Sequence, residues 1–315
     1  MKRAPLAVIL ILAAAVGAWF YLKPGSSEPD LRVPFEPIPE SFAPEFSGQA
    51  AFDHVAKIVA IGPRPPASEG YEKTLDYLES EFSSMGWTAV RQSFTRGTPK
   101  GPVTFTNLIA RHTAGESDWS KSTPVVIGGH LDSKAINQFE FTAANDGGSS
   151  TGVILELARV LSSDPIQAAK VEFVLFDGEE ALLEYITPTD GLYGSKYYAH
   201  EISKRSTWPS LGIVLDLVGD SNYAFYYNVD ASAEIGNAVD KAAASSEFKI
   251  RRAPGEILDD HVPLQNTGLP CLHVIGDFMN MPYWHKQGDV IDVIDAAALE
   301  KTGRTTLRFL SLYSN

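Results

Sequence analysis

Val171-Glu172-Phe173-Val174-Leu175-Phe176-Asp177-Gly178-Glu179-Glu180-Ala181 is the stretch from which the rest of the chain is read. Its first six residues form an apolar, β-branched and aromatic run that predicts a buried strand. Asp177-Gly178 ends that strand in a turn, and two adjacent carboxylates follow. Open α/β sheets bind ligands just beyond the carboxyl ends of their strands. Glu179 and Glu180 could face one site there, one holding a metal and the other moving a proton. Taken alone, the stretch could equally be a solvated acidic turn.

Other segments repeat the pattern. Pro124-Val125-Val126-Ile127 predicts a strand that runs into Gly128-Gly129-His130-Leu131-Asp132-Ser133-Lys134. Ala144-Asn145-Asp146-Gly147-Gly148 precedes an apolar helical pattern through Val153, Leu157, Val160 and Leu161. Cys271-Leu272-His273-Val274-Ile275-Gly276 is another strand-like run, with Trp284-His285 beyond it. Carboxylates and imidazoles thus fall repeatedly at strand ends and helix starts, where a zinc centre with oxygen and nitrogen ligands would be assembled.

Helices are predicted from about Gln49 to Gly62-Pro63, and from Tyr71 to Met85 with Gly86 as the cap. Two β-like runs follow, Trp87 to Phe94 and Val103 to Ala110. After them strands ending at Ile127 and Phe176, and one over Gly212–Val218, alternate with helices from about Thr151, Gly194 and Ala231. The Cys271 strand and a terminal helix from Asp295 complete the chain. Alternation of this kind predicts an α/β fold with a central, mostly parallel mixed sheet and helices on both faces. The 315 residues, 44% hydrophobic and 21% charged, suit a single large domain over 45–315.

A net charge of −13 argues against a nucleic-acid partner, which would call for a basic stripe. The lone cysteine, Cys271, cannot form an intrachain disulfide and lies in an apolar run, as an inert buried thiol does. Lys2 and Arg3 precede an uncharged stretch, Ala4 to Leu22, about the ~20 residues that cross a bilayer. Trp19, Phe20 and Tyr21 close it as an interfacial aromatic group. Residues 1–22 therefore read as a signal anchor, or as a signal peptide cleaved near Val16-Gly17-Ala18. Either exports the remainder, as a membrane-anchored or a secreted protein. With no cysteine directly after the apolar run, a lipoprotein anchor is excluded. Residues 23–44, rich in proline, read as a linker or an arm laid on the surface.

Six blocks in order carry a family resemblance: His130-Leu131-Asp132-Ser133-Lys134, Asp177-Gly178-Glu179-Glu180-Ala181, Leu192-Tyr193-Gly194-Ser195, Leu215-Asp216-Leu217, Asp259-Asp260-His261-Val262-Pro263 and Trp284-His285. The chain from about Phe46 to Leu312 resembles the animal-type glutaminyl-peptide cyclotransferases, a family that shares its fold with zinc aminopeptidases. The resemblance implies one zinc per chain held by Asp146, Glu180 and His285. It implies Glu179 as acid/base within a carboxylate network with Asp216 and Asp259, and Trp284 in the substrate pocket. It also implies N-terminal glutamine peptides as substrates, and a monomer is expected. Two departures stand out: the disulfide beside the His130 block is absent, and Tyr185 stands nearest to where that family has a pocket tryptophan.

The chemistry is consistent with those residue types. Closing an N-terminal glutamine on itself requires the α-amine to attack the side-chain amide and release ammonia. A zinc with an open position can polarise the carbonyl, and a carboxylate can carry the proton. Carboxylates clustered around Glu179 would raise its pKa by like-charge repulsion. The competing reading is a two-metal zinc aminopeptidase, with His130 and Asp216 as the further ligands. Asp259-Asp260-His261 stands against it, because those peptidases usually resemble Ser-Asp-His there. His54, His112 and His200 are expected to be structural or on the surface, His273 a satisfied core histidine, and His261 a supporting group behind the site.

Overall fold

Serine hydroxyls start the first two α-helices of the computed structural model, which describes residues 31–314. Ser47 accepts the Ala50 N–H at the head of α1 (Gly48–Ile61), and Ser68 accepts the Tyr71 N–H at the head of α2 (Glu69–Ser84). A long hairpin follows. β1 (Trp87–Thr98) pairs along its whole length with β2 (Gly101–His112). The chain then alternates through β3 (Val125–His130), α3 (Gly148–Leu161), a single turn α4 (Pro165–Ala168), β4 (Val171–Phe176), α5 (Tyr193–Ile202) and β5 (Leu211–Asp216). It ends with β6 (Phe225–Tyr227), α6 (Ala233–Ser245), β7 (Ile250–Arg252), α7 (His261–Gln265), β8 (Cys271–Gly276) and α8 (Ala296–Leu312).

The strands form one eight-stranded sheet in the order β1-β2-β4-β3-β5-β8-β6-β7. β4, β3, β5 and β8 lie side by side and parallel, while the hairpin and β6 join antiparallel. All six residues of each of those four strands are buried, as befits strands covered on both faces. Successive side chains divide between two cores. Ile127, Phe173, Leu175, Ile213 and Leu215 pack with residues of α1, α3, α6 and α8, whereas Val126, Val174, Phe176 and Val214 pack with Tyr198, Ile202 and Leu264 of α5 and α7. This is the expected α/β architecture.

Boundaries differ from the sequence reading where one residue's backbone decides. α3 begins at Gly148 rather than near Thr151, because Gly147 at φ 81° turns the chain into the helix directly after Asp146. β5 stops at Asp216 rather than Val218 because Leu217 is left-handed, φ 50°, which leaves Asp216 at the strand's end. β6 and β7 were not foreseen, since three residues are too few for a periodic signal.

The proline-rich stretch belongs, from Arg32 on, to the same compact unit as the sheet. Val33 donates to the Trp208 carbonyl at 2.8 Å, Phe35 stacks on Tyr313, and Ile38, Phe42 and Phe46 are buried. The extended arm is thus held by aromatic and aliphatic side chains between its prolines. Among the described residues no helix is long and apolar enough to cross a membrane. The apolar segment 1–22 lies outside them.

Candidate metal centre and reaction pocket

The carboxyl ends of β3, β4 and β5 deliver His130, the Asp177–Glu180 turn and Asp216 to one place. Gly178 makes the turn possible at φ 68°; a side chain on it would lie 2.5 Å from the Phe105 ring. Gly194 does the same for the incoming helix α5, since a Cβ there would meet the Asn107 side chain at 2.3 Å. Asp132 then fixes both glutamates, its carboxylate accepting the Glu179 N–H at 3.1 Å and the Glu180 N–H at 3.3 Å.

Asp146, Glu180 and His285 bring one ligand atom each within 4.8 Å of one another. His285 Nε2 lies 2.9 Å from Glu180 Oε1 and 3.3 Å from Asp146 Oδ2, yet neither oxygen receives a directed N–H. Both oxygens are buried and without a hydrogen-bond partner. The other oxygen of each carboxylate is engaged: Asp146 Oδ1 lies 3.2 Å from His130 Nε2, and Glu180 Oε2 accepts from Lys134 Nζ at 3.2 Å. Two orphaned carboxylate oxygens facing one imidazole nitrogen is costly unless a cation completes it. Two oxygens and a nitrogen with room for a fourth ligand suit zinc. Burial opposes charge on His285, but Glu180 and Asp146 outweigh it and hold its pKa up to about 10.

Beside this triad lies a group of buried acids. Burial chiefly pushes Glu179 well above the usual carboxylate range, with Glu180, Asp259 and Asp260 adding to the shift and His130 opposing it. Like-charge repulsion, expected from the sequence as the cause, is thus secondary. Asp216, raised to about 6 mainly by burial, also feels Asp259 and Asp146. Asp259 behaves oppositely. Burial would raise it, but His273, His261 and His130 hold it below the usual range. His273 Nε2 stands 2.9 Å from Asp259 Oδ2, so this histidine is buried, as expected from its apolar strand, but adjoins the acid group. His261 stacks on His273 at 4.1 Å, and burial, with His273 beside it, pushes its pKa down to about 3, which leaves it neutral.

A cavity of about 250 Å3 opens over Glu179, Asp216, Asp259 and the three candidate ligands. Trp284 lines it, stacked on His285 at 4.2 Å, and Tyr185 stands at its mouth, 66% exposed. His54 instead bonds the Tyr77 hydroxyl and His112 packs edge-on against Trp87. Cys271 is buried in β8, where burial raises its thiol pKa.

The model of peptidase family M28 matches residues 107–310, a span that includes every residue of this centre. The chain belongs to peptidase family M28. Among its relatives, a glutaminyl-peptide cyclotransferase of Dictyostelium discoideum is 26% identical over 288 residues, covering 77% of this chain and 79% of the relative. The solved glutaminyl cyclase of Porphyromonas gingivalis is 27% identical with a TM-score of 0.76, over 84% of this chain and 98% of that one. A zinc-dependent exopeptidase from Parabacteroides distasonis is 26% identical, with a TM-score of 0.73 over 84% and 98%.

This M28 chain also has a second group capable of holding a metal. His130, Asp146 and Asp216 offer atoms within 4.8 Å, with His130 Nε2 3.1 Å from Asp216 Oδ1. Two supports for the centre escaped the sequence reading. Arg64, fully buried, donates to the carbonyls of Leu131, Thr142, Ala143 and Asp146, and so ties together the two ends of the β3–α3 loop, which carry Asp132 and Asp146. Asp289 accepts the Asn145 and Asp146 N–H groups at 2.7 and 3.1 Å. An arginine set among prolines, Pro63-Arg64-Pro65-Pro66, was the available signal. Arg64→Met would strand four carbonyls, and we expect a loss of about 3–5 kcal/mol by denaturant titration, since each orphaned buried group costs about 1–3 kcal/mol before relaxation. Zinc affinity should fall about 10–100-fold, as for other groups that orient ligands.

Proposed function

We propose that this M28 member is a zinc-dependent glutaminyl-peptide cyclotransferase, converting N-terminal glutamine of peptides and proteins to pyroglutamate with release of ammonia. The observation that carries the reading is the opposed state of two neighbouring acids: Glu179, raised by burial, and Asp259, kept ionised beside His273. Together they suit an amine that must arrive, lose a proton and attack. The likeness to glutaminyl cyclases supports the same conclusion.

In this reading Asp146, Glu180 and His285 hold a single zinc. Zinc bound there supplies Lewis acidity towards the glutamine γ-carbonyl. Asp259 and Asp216 face the α-amine and position it. Glu179 takes a proton from that nitrogen as the new C–N bond forms and returns one to the departing nitrogen as the old C–N bond breaks, so ammonia leaves. Trp284 and Tyr185 bound the glutamine side chain. No water enters as nucleophile. The enzyme acts as a monomer and is itself exported, with residues 1–22 providing the anchor or leader.

A two-metal aminopeptidase is favoured by the His130–Asp146–Asp216 group, by membership of a peptidase family and by the likeness to the Parabacteroides exopeptidase. Incubating the protein with an N-terminal glutamine peptide and weighing the products separates the two. Loss of ammonia with the chain intact is the expected result; a released free amino acid overturns it.

Asp259 gives a sharper discriminator. Asp259→Asn should lower kcat/KM by roughly 10²-fold or more, on the scale of general acid–base effects, with zinc retained and the pH–rate profile altered. Asp259→Ser should lose cyclisation without gaining appreciable peptidase activity. Wild-type rates and an unchanged profile in either variant would remove Asp259 from the mechanism.

A further inference from the structure

The reaction cavity does not end at its aromatic rim. A second cavity of about 480 Å3 adjoins it, and the two share Lys134, Glu184, Tyr185, Phe278, Trp284 and His285 as a common wall. Ile136, Met279 and Met281 complete the second cavity's apolar surface. Met279 is 75% exposed and Tyr185 66%, which puts two of the largest open apolar side chains of the described residues at one edge of the site. Apolar surface left open beside a reaction cavity is a mark of ligand contact. Methionine adapts its shape to what it covers.

We propose that this second cavity receives the side chain of the residue that follows the N-terminal glutamine, and that it selects a large apolar side chain there. The inference rests on the cyclotransferase reading, which requires glutamine to fill the first cavity with its α-carboxyl continuing as a peptide bond. That continuation must leave the first cavity over its rim. The shared wall at Tyr185 and Trp284 leads into the second cavity, and an aromatic or long aliphatic side chain would cover Met279 and Ile136 from solvent. The other adjoining cavity, about 440 Å3 and lined by Lys196, Val262 and Asn266, shares only Leu258 with the reaction cavity. The continuity therefore favours the Met279 side.

The test compares tripeptides Gln-Phe-Ala and Gln-Gly-Ala as substrates of the zinc-loaded full chain. Burying one apolar side chain predicts roughly tenfold higher kcat/KM for Gln-Phe-Ala, expressed mainly in KM. Met279→Ser should remove most of that preference while leaving Gln-Gly-Ala within about twofold of wild type, because the altered side chain lies outside the first cavity. Ile136→Ser should act in the same direction. Equal rates for the two peptides in the wild type overturn the proposal. So does a Met279→Ser effect of the same size on both peptides, or a preference that is lost in Leu258→Ser and kept in Met279→Ser. If neither peptide is cyclised, the cyclotransferase reading itself fails, a result distinct from cyclisation without discrimination.

Discussion

His285→Ala is expected to strip the metal and abolish turnover while leaving the fold largely intact. His285 is the only nitrogen in the Asp146–Glu180–His285 set, and it sits in a loop beyond β8 at the edge of the core. Removing it leaves two carboxylate oxygens, too few neutralised donors for tight zinc binding. Elemental analysis of the dialysed variant checks this, with circular dichroism as the control on folding. Full zinc occupancy in the variant would sink the ligand assignment. The wild type should hold one zinc per chain; two tightly held ions, both required for activity, would support the peptidase instead. The pH dependence follows from the imidazole. With its pKa held to about 10 by Glu180 and Asp146, His285 is protonated near neutrality in the metal-free protein and must lose that proton to ligate. Zinc affinity should therefore rise with pH below about 10, with proton release on binding measurable by calorimetry in buffers of different ionisation enthalpy.

Glu179→Gln should leave zinc bound and lower turnover by about 10²–10⁴-fold, the usual worth of a general acid–base group. The substitution keeps size and polarity and removes only the titrating proton. Since burial raises the Glu179 pKa, its basic form is populated above the ordinary carboxylate range and lost on acidification. The acid limb of the wild-type kcat/KM profile should lie correspondingly high, and the residual activity of the variant should lack it. Turnover within a few-fold of wild type would place the acid/base elsewhere.

The strands were legible because fully buried parallel strands read as unbroken apolar runs. The end at Phe176 was read directly, because Asp177-Gly178 breaks the apolar run there, whereas the strands read as ending at Ile127 and Val218 end at His130 and Asp216. The site is built at those termini, so the same pattern exposed both fold and candidate residues. Asp295, read as the start of the last helix, caps it by accepting the Ala297 N–H at 2.9 Å. Local hydrogen bonding of this kind needs no tertiary information.

Sequence patterning by itself determined the α/β alternation, the buried strands and the acidic and imidazole residues beyond them, because apolar periodicity and turn chemistry are local properties. Tertiary structure alone decided which of those residues meet. It set His273 against Asp259 and stacked His261 upon it, since sheet order and the placing of α7 beside β8 govern that meeting. It also put Arg64 among four carbonyls of the β3–α3 loop, far from it in sequence, and docked the proline-rich arm against α8 through Phe35 and Ile38. The reason is physical. A buried charge or an orphaned carbonyl is satisfied by whatever the fold brings within about 3 Å, and that partner need have no sequence relationship to it.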